Sequence, residues 1–289
     1  MTVTDTILPM PHVEGVEHRF LEIAGTTFHL AEAGDGPPLV LLHGWPQHWW
    51  CWREVIPHLA ARYHVVCPDI RGLGWSGGSE GSFRWDDLAA DLIAWLDELR
   101  LDRVRLVGFD WGCVIGYRAC LMHPERFERF VPMTAIHMWQ WQGLRTPPIG
   151  FIRPWHVWLI AAIGAPGITR LGLEERALRT WRRVGSFSED ELAVYVGATR
   201  RKPSIDATVR FDRAFAFHEL RRAKEALRDW RLHVPTLHLY GENDPLTPVR
   251  PDTYRAYADQ MEIGIVPASG HFIPEEAPDE LLARLAAFL

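Results

Sequence analysis

The chain has 289 residues, 47% of them hydrophobic and 24% charged. That suits one large folded unit, or a domain with an insertion, and excludes disorder as its main state. The net charge of −6, from 31 basic and 37 acidic residues, argues against nucleic acid or an anionic membrane as partner. The 14 tryptophans call for a thick apolar core or an aromatic-lined cavity.

The first residues, Met1 to Pro11, lack the basic region and long apolar stretch of a signal peptide. No uncharged apolar run reaches the ~18 residues of a membrane span. The expected location is therefore cytoplasmic. Cys51, Cys67, Cys113 and Cys120 show no metal-type spacing and read as reduced packing thiols.

Residues 16–34 read as two short strands with Gly25 at their turn. Pro38–His43 is a continuous apolar run, as expected of a strand buried on both faces. A turn at Gly44-Trp45-Pro46 follows, then a helix to Arg62, and Tyr63–Asp69 is the next buried strand. Glycines 72, 74, 77 and 78 mark a long loop. Leu88, Leu92, Trp95, Leu96 and Leu99 recur at helical spacing over 85–100. Val104–Gly108 is a third buried strand, a helix spans Trp111–His123, and a strand lies near Phe130–Ile136. The alternation then stops. Residues 137–230 are rich in Trp, Arg and Pro, with helical periodicity from about Glu174. Strands resume at Thr236–Gly241 and Glu262–Val266, and Pro278–Leu289 is a closing amphipathic helix. The pattern predicts an α/β fold: a mostly parallel sheet formed by residues 1–136 and 231–289, interrupted by a helical cap over 137–230.

The sharpest motif is Gly108-Phe109-Asp110-Trp111-Gly112, between a buried strand and a helix. It has the form of a nucleophile elbow, in which two glycines permit a tight turn that lifts the middle side chain into the open. Asp110 stands where Ser is usual; alone, it reads equally well as a helix N-cap. Two more segments bear on that choice. Asp244 follows the resumed strand, and His271 sits in Ser269-Gly270-His271 after the last one. Nucleophile, acid, histidine is the chain order this architecture uses. His43-Gly44-Trp45-Pro46 follows a central strand, so the Trp45 and Trp111 backbone N–H groups suit an oxyanion hole.

On these motifs, together with Asp69-Ile-Arg-Gly-Leu-Gly-Trp-Ser76, the chain resembles the α/β-hydrolases of the epoxide hydrolase and haloalkane dehalogenase group. The resemblance covers roughly residues 16–136 and 232–289. It implies an eight-stranded, mostly parallel sheet under a cap. It also implies an alkyl-enzyme ester on Asp110, hydrolysed by water that His271 activates while Asp244 orients the imidazole. No metal or organic cofactor is implied. The expected partner is a small apolar substrate, acted on by a monomer or homodimer, with nucleic acid and membrane excluded.

The resemblance separates two leaving groups. Epoxide hydrolases protonate the ring oxygen with cap tyrosines. Haloalkane dehalogenases hold halide with a Trp after the nucleophile and often an Asn at the position of Trp45. Trp111 suits both, whereas Trp45 departs from the Asn form, so opening of an epoxide to a diol is expected, with dehalogenation or ligand binding without turnover as alternatives. The tyrosine pattern is incomplete. The family stretch Tyr-Arg-x-Phe matches Asp212-Arg213-Ala214-Phe215, which puts Asp212 where a tyrosine is expected. After the sixth strand stand His137, Trp139 and Trp141 instead of a tyrosine. Tyr195, the only tyrosine of the insertion, is either an acid or a packed helix residue. Asp212 would serve as acid if an apolar site keeps it protonated, and otherwise reads as a solvated surface residue or a partner of Arg213; His137 is either a third donor or a cap of its strand. Trp139 and Trp141 are candidate pocket walls.

Overall fold

A computed structural model of the chain describes residues 9–135, 139, 155–219, 222, 230–246 and 256–289. Eight strands form a single sheet: β1 (Glu17–Ile23), β2 (Thr26–Ala33), β3 (Pro38–Leu42), β4 (His64–Pro68), β5 (Val104–Phe109), β6 (Phe127–Met133), β7 (Thr236–Gly241) and β8 (Met261–Val266). Their order is β1-β2-β4-β3-β5-β6-β7-β8. β1 and β2 pair antiparallel, β2 meets β4 antiparallel, and every later pairing is parallel. The apolar runs explain the placement. Each of β3, β4, β5 and β7 is buried along almost its whole length, so each needs cover on both faces and takes an interior position. β1 alternates weakly and is largely exposed, as an edge strand can be.

The core helices are α1 (Ile56–Ala60), α2 (Trp85–Glu98) and α3 (Trp111–Met122), with α9 (Ile273–Glu276) and α10 (Pro278–Phe288) closing the chain. α3 packs on β3, β5 and β6 and against α2. One expectation changes. The helix read from Pro46 to Arg62 is split into a 3-10 turn, Trp49–Trp52, and the short α1. Pro57 lies in the first turn of α1, where its missing N–H costs nothing, but it cannot continue a helix arriving from before it. β6 also starts earlier than expected, at Phe127, and ends at Met133.

Between β6 and β7 the chain forms α4 (Trp155–Ile163), α5 (Pro166–Thr169), α6 (Leu173–Trp181), α7 (Glu189–Thr199) and α8 (Lys202–Ala214), then a π-helical turn at Phe215–Glu219. These helices lie over the loops that leave the C-terminal ends of β3 and β4. Thr199 Oγ1 donates to the Pro46 carbonyl at 3.0 Å, and Arg201 donates to the Gly74 carbonyl at 2.6 Å. Arg53 reaches from the core to Glu191 of α7, Tyr195 and Glu275. Among the described residues, no helix is long and apolar enough to cross a membrane.

Candidate active site

Asp110 is the first functional side chain the fold positions. It joins β5 to α3 with φ +51° and ψ −111°, a left-handed conformation that a non-glycine residue holds only when its surroundings impose it. The glycines around it supply the room. A Cβ on Gly112 would stand 2.3 Å from the Leu42 carbonyl oxygen, and one on Gly44 would stand 2.3 Å from the Asp110 Cβ. The crossing of α3 over β3 therefore depends on Gly112, and the seat of the Asp110 side chain on Gly44. The Trp45 backbone N–H donates to Asp110 Oδ1 at 2.8 Å. Trp111 is the first residue of α3, where a backbone N–H has no partner within the helix.

His271 reaches Asp110 from the loop after β8. Its Nε2 lies 3.5 Å from Asp110 Oδ2, and its Nδ1 lies 3.2 Å from Asp244 Oδ1. Asp244 is fixed by the turn after β7: its N–H donates to the Gly241 carbonyl at 3.2 Å, and its Oδ1 also accepts the Leu246 N–H at 2.9 Å. The structure thus brings Asp110, His271 and Asp244 into one line. Burial alone would lower the His271 imidazole, but the Asp244 and Asp110 carboxyl groups on its two sides outweigh it and raise it to about 10. The Phe109, Trp181 and Phe272 rings each lie 5.3 Å from the imidazole.

Two acidic neighbours were missed in the sequence. Glu276, in α9, accepts four backbone N–H groups: Gly270 at 2.9 Å and Phe272 at 2.8 Å on either side of His271, and Arg183 at 2.7 Å and Val184 at 2.9 Å from the segment after α6. Glu275 accepts from Gln47, Arg53 and Tyr195. The HFIPEE run offers no local signal for the links to Gln47, Arg53, Tyr195, Arg183 and Val184, because all five lie far away in sequence.

Behind the Trp45 turn, Asp69 ties the loops together. It accepts the Trp49 N–H at 2.9 Å and the Trp75 N–H at 3.0 Å, and His29 Nδ1 lies 2.7 Å away. Burial would raise this carboxyl, but the His29 and His43 imidazoles outweigh it and bring it to about 2.

The candidate leaving-group donors fall in different places. Asp212 is 2% exposed. It follows Phe211, whose ring stacks on Trp111 at 3.6 Å between centroids, so this turn of α8 lies against the elbow. The Nε of the next residue, Arg213, donates to the Ala161 carbonyl at 3.1 Å. Burial, and then the charge of Asp110, push the Asp212 carboxyl well above the usual carboxylate range.

Tyr195 requires a correction. It is fully buried, its hydroxyl donates to Glu275 at 2.8 Å and accepts from Arg53 at 3.0 Å, and its ring packs on His48, Trp50 and Phe187. A phenol committed to a carboxylate beneath the cap helices is a packed anchor and not an acid. Trp139 is also corrected. It packs on Tyr117 and stacks on Tyr257, as part of the core rather than as a pocket wall. His137 and Trp141 lie outside the described residues.

His156 was not singled out in the sequence. It is 7% exposed, on α4, and its ring stacks on Trp45 at 5.6 Å with planes 7° apart. Trp181 packs on it at 4.5 Å and on Trp45 at 5.9 Å, so the three rings form one cluster. A lone histidine in the apolar run Trp155–Ile163 was the available signal. Among the described residues no group of His, Cys, Asp and Glu is placed to hold a metal ion, and the four cysteines are buried, their thiols pushed well above the usual range by burial.

Comparison with known proteins places the fold in a family. Residues 37–278 match the α/β hydrolase fold family. A soluble epoxide hydrolase from Corynebacterium sp. (strain C12) is 31% identical over 284 residues, which is 94% of this chain and 97% of that protein. Epoxide hydrolase A of Mycobacterium tuberculosis is 28% identical, over 94% of this chain and 96% of its own. The solved structure of the epoxide hydrolase CorEH superposes with a TM-score of 0.79 at 28% identity, covering 94% of this chain and 98% of that one.

Proposed function

The chain belongs to the α/β-hydrolase fold family, in its epoxide hydrolase group, and from that premise we propose that it opens epoxides to vicinal diols through an ester on Asp110. The observation that carries this reading is a carboxylate, not a hydroxyl, on the strained elbow, with a histidine 3.5 Å from it. A carboxylate suits attack on a saturated carbon and leaves an ester that water must then remove. In this reading residues 1–136 and 231–289 are the core and 137–230 the cap that closes over a small apolar substrate.

Asp110 Oδ1 is held by the Trp45 N–H, so Oδ2 attacks the ring carbon. The carbon–oxygen bond breaks, its electron pair stays on the ring oxygen, and that oxygen takes a proton from Asp212. Ester formation removes the Asp110 charge, one of the two that keep His271 protonated, so the imidazolium gives up its proton, which passes through solvent to the Asp212 carboxylate, and the neutral ring becomes a base. It takes a proton from water, whose oxygen attacks the ester carbon. The Trp45 and Trp111 N–H groups hold the oxyanion, and one such donor is worth about 3 kcal/mol of barrier. Collapse expels the alkoxide, which takes the proton left on the new Asp110 carboxyl, giving the diol and the free carboxylate with His271 again a cation and Asp212 protonated.

Single-turnover reaction with an aryl epoxide in heavy-oxygen water tests the route. Label is expected in the Asp110 carboxyl, and His271→Gln is expected to accumulate the alkyl-enzyme. Diol formed without label in Asp110 would overturn the covalent route. Halide release from haloalkanes with no turnover of epoxides would overturn the choice of substrate.

A further inference from the structure

A groove of about 740 Å³ lies at the seam between the cap and the core, and none of Asp110, Asp212 and His271 lines it. The core contributes Phe83 and Arg84 from the loop before α2, and the cap contributes Ile163 at the end of α4 and one stripe of α8. The stripe is Asp206, Val209, Arg210 and Arg213, spaced i, i+3, i+4 and i+7, so these residues share a helix face. Phe211 and Asp212 lie off it, and Phe211 stacks on Trp111, so α8 stands between the groove and the elbow. The floor of the groove is apolar. Phe83, Val209 and Ala214 are buried, and Ile163 is 41% exposed. The rim is basic. Arg210 and Arg213 are both exposed and three residues apart, a spacing at which like charges repel. Arg210 has no ion pair or hydrogen bond among the described residues. Arg213 gives its Nε to the Ala161 carbonyl, one of the last four of α4, which have no partner within the helix. Its Nη2 stands against Gly164, where a Cβ would come within 3.3 Å. The guanidinium is thereby held on the groove wall, with no carboxylate on it among the described residues. Asp206 and the buried Glu219 are engaged with other cations, Lys202 at 2.5 Å and Arg84 at 3.8 Å.

We propose that this seam is an accessory binding site for a straight-chain alkyl carboxylate, whose head group sits between Arg210 and Arg213 and whose chain lies on Phe83, Ile163 and Val209. The site is separate from the Asp110 cleft and stands whether or not the epoxide reading does. Charge favours an anion here. The chain as a whole is acidic, at −6, so two guanidinium groups without carboxylates reverse its field locally and draw anions to the seam. Geometry favours a carboxylate. A guanidinium offers paired N–H groups that match two carboxylate oxygens, and Arg213 is already held in place by Ala161. The floor favours a chain. An inorganic anion leaves Ile163 in water, whereas an alkyl chain covers it and gains the transfer of apolar surface. With its head on α8 and its chain on Phe83, the ligand joins the cap to the core loop.

Equilibrium dialysis of labelled decanoate against the whole protein, below the micelle concentration, tests the assignment. Saturable binding is expected, and it should weaken as salt rises, because the head-group contacts are exposed. Arg210→Gln combined with Arg213→Gln is expected to weaken binding ~10-fold or more, the usual loss when charge-assisted hydrogen bonds are removed. Arg210→Gln alone should give part of that loss while leaving the Ala161 bond, and so the end of α4, untouched. Decanol, which has the chain without the charge, should fail to displace the label. Decanoate bound equally by the parent and by either variant would put the ligand elsewhere, in the Asp110 cleft above all, and would overturn the site. Displacement by decanol as readily as by unlabelled decanoate would also overturn it, since that marks apolar surface alone. So would the absence of saturable binding.

Discussion

The charge state of His271 depends on a neighbour, Asp110, that the proposed reaction neutralises. With Asp110 and Asp244 on either side the imidazole is raised to about 10 against burial, so it rests as a cation. Replacing Asp110 by Asn mimics the neutral ester. The His271 imidazole, followed by proton–nitrogen NMR, is then expected to titrate several pH units lower, because one of the two raising charges is gone while burial remains. An unchanged titration would show that Asp110 does not govern the base. Asp212 works with the opposite sign. It must hold its proton to act, so single-turnover alkylation should fall as pH rises through its raised value. Asp212→Asn removes the transferable proton, and alkylation should drop ~10²–10⁴-fold and lose that alkaline limb. A limb that persists in the Asn variant would assign it to another group.

At the scale of elements, α9 links the catalytic loop to the cap. Glu276 accepts N–H groups from both sides of His271 and from Arg183 and Val184, so one carboxylate sets the spacing between the β8 loop and the end of α6. Glu276→Gln keeps the size but turns an NH2 toward donors. It should cost about 1–3 kcal/mol in denaturant unfolding. It should also slow hydrolysis of the ester more than its formation, because formation does not use the His271 loop. Equal slowing of both steps in rapid quench would refute a positioning role. Glu276 also shows where sequence reading stops. β3, β4, β5 and β7 announce themselves as apolar runs, since strands buried on both faces carry few polar residues. The elbow, Asp244 and His271 are legible because each sits in a loop directly after a strand. Two of the four partners of Glu276, Val184 and Arg183, are 92 and 93 residues away, and no local period encodes them. His156 is hidden for a related reason. Trp155–Ile163 is apolar on most sides, so its pattern does not say which side turns toward Asp110. Tyr195 and Trp139 misled because an aromatic residue looks the same in a core as in a pocket.

The buried histidines also set how the whole molecule responds to pH. Burial holds His48 and His156 at about 3, against 6.5 for an ordinary histidine, and lowers His43 as well. These groups protonate in the unfolded chain before they do in the fold. Their contribution is complete above pH 6.5 and is lost as pH falls below it, at ~1.4 kcal/mol per pH unit for each. His48 and His156 together should therefore remove about 4 kcal/mol between pH 6.5 and 5. His271 acts in the other direction. Its folded value of about 10 lies above the unfolded one, so its contribution is complete below pH 6.5 and declines as pH rises toward 10. Asp69, at about 2, adds a constant amount until pH falls below the usual carboxylate value of 3.8, so it shapes neither limb in this range. The histidine share of the stability should peak near pH 6.5 and fall on both sides, and its limbs can be separated by substitution. Urea unfolding of His48→Asn should show a shallower acid limb, with the alkaline limb intact. Asp110→Asn should flatten the alkaline limb alone, since it removes a charge that raises His271 and touches neither His48 nor the unfolded chain's histidines. Flattening of the acid limb by Asp110→Asn, or a His48→Asn profile that superposes on the parent, would show that the pH response has another origin.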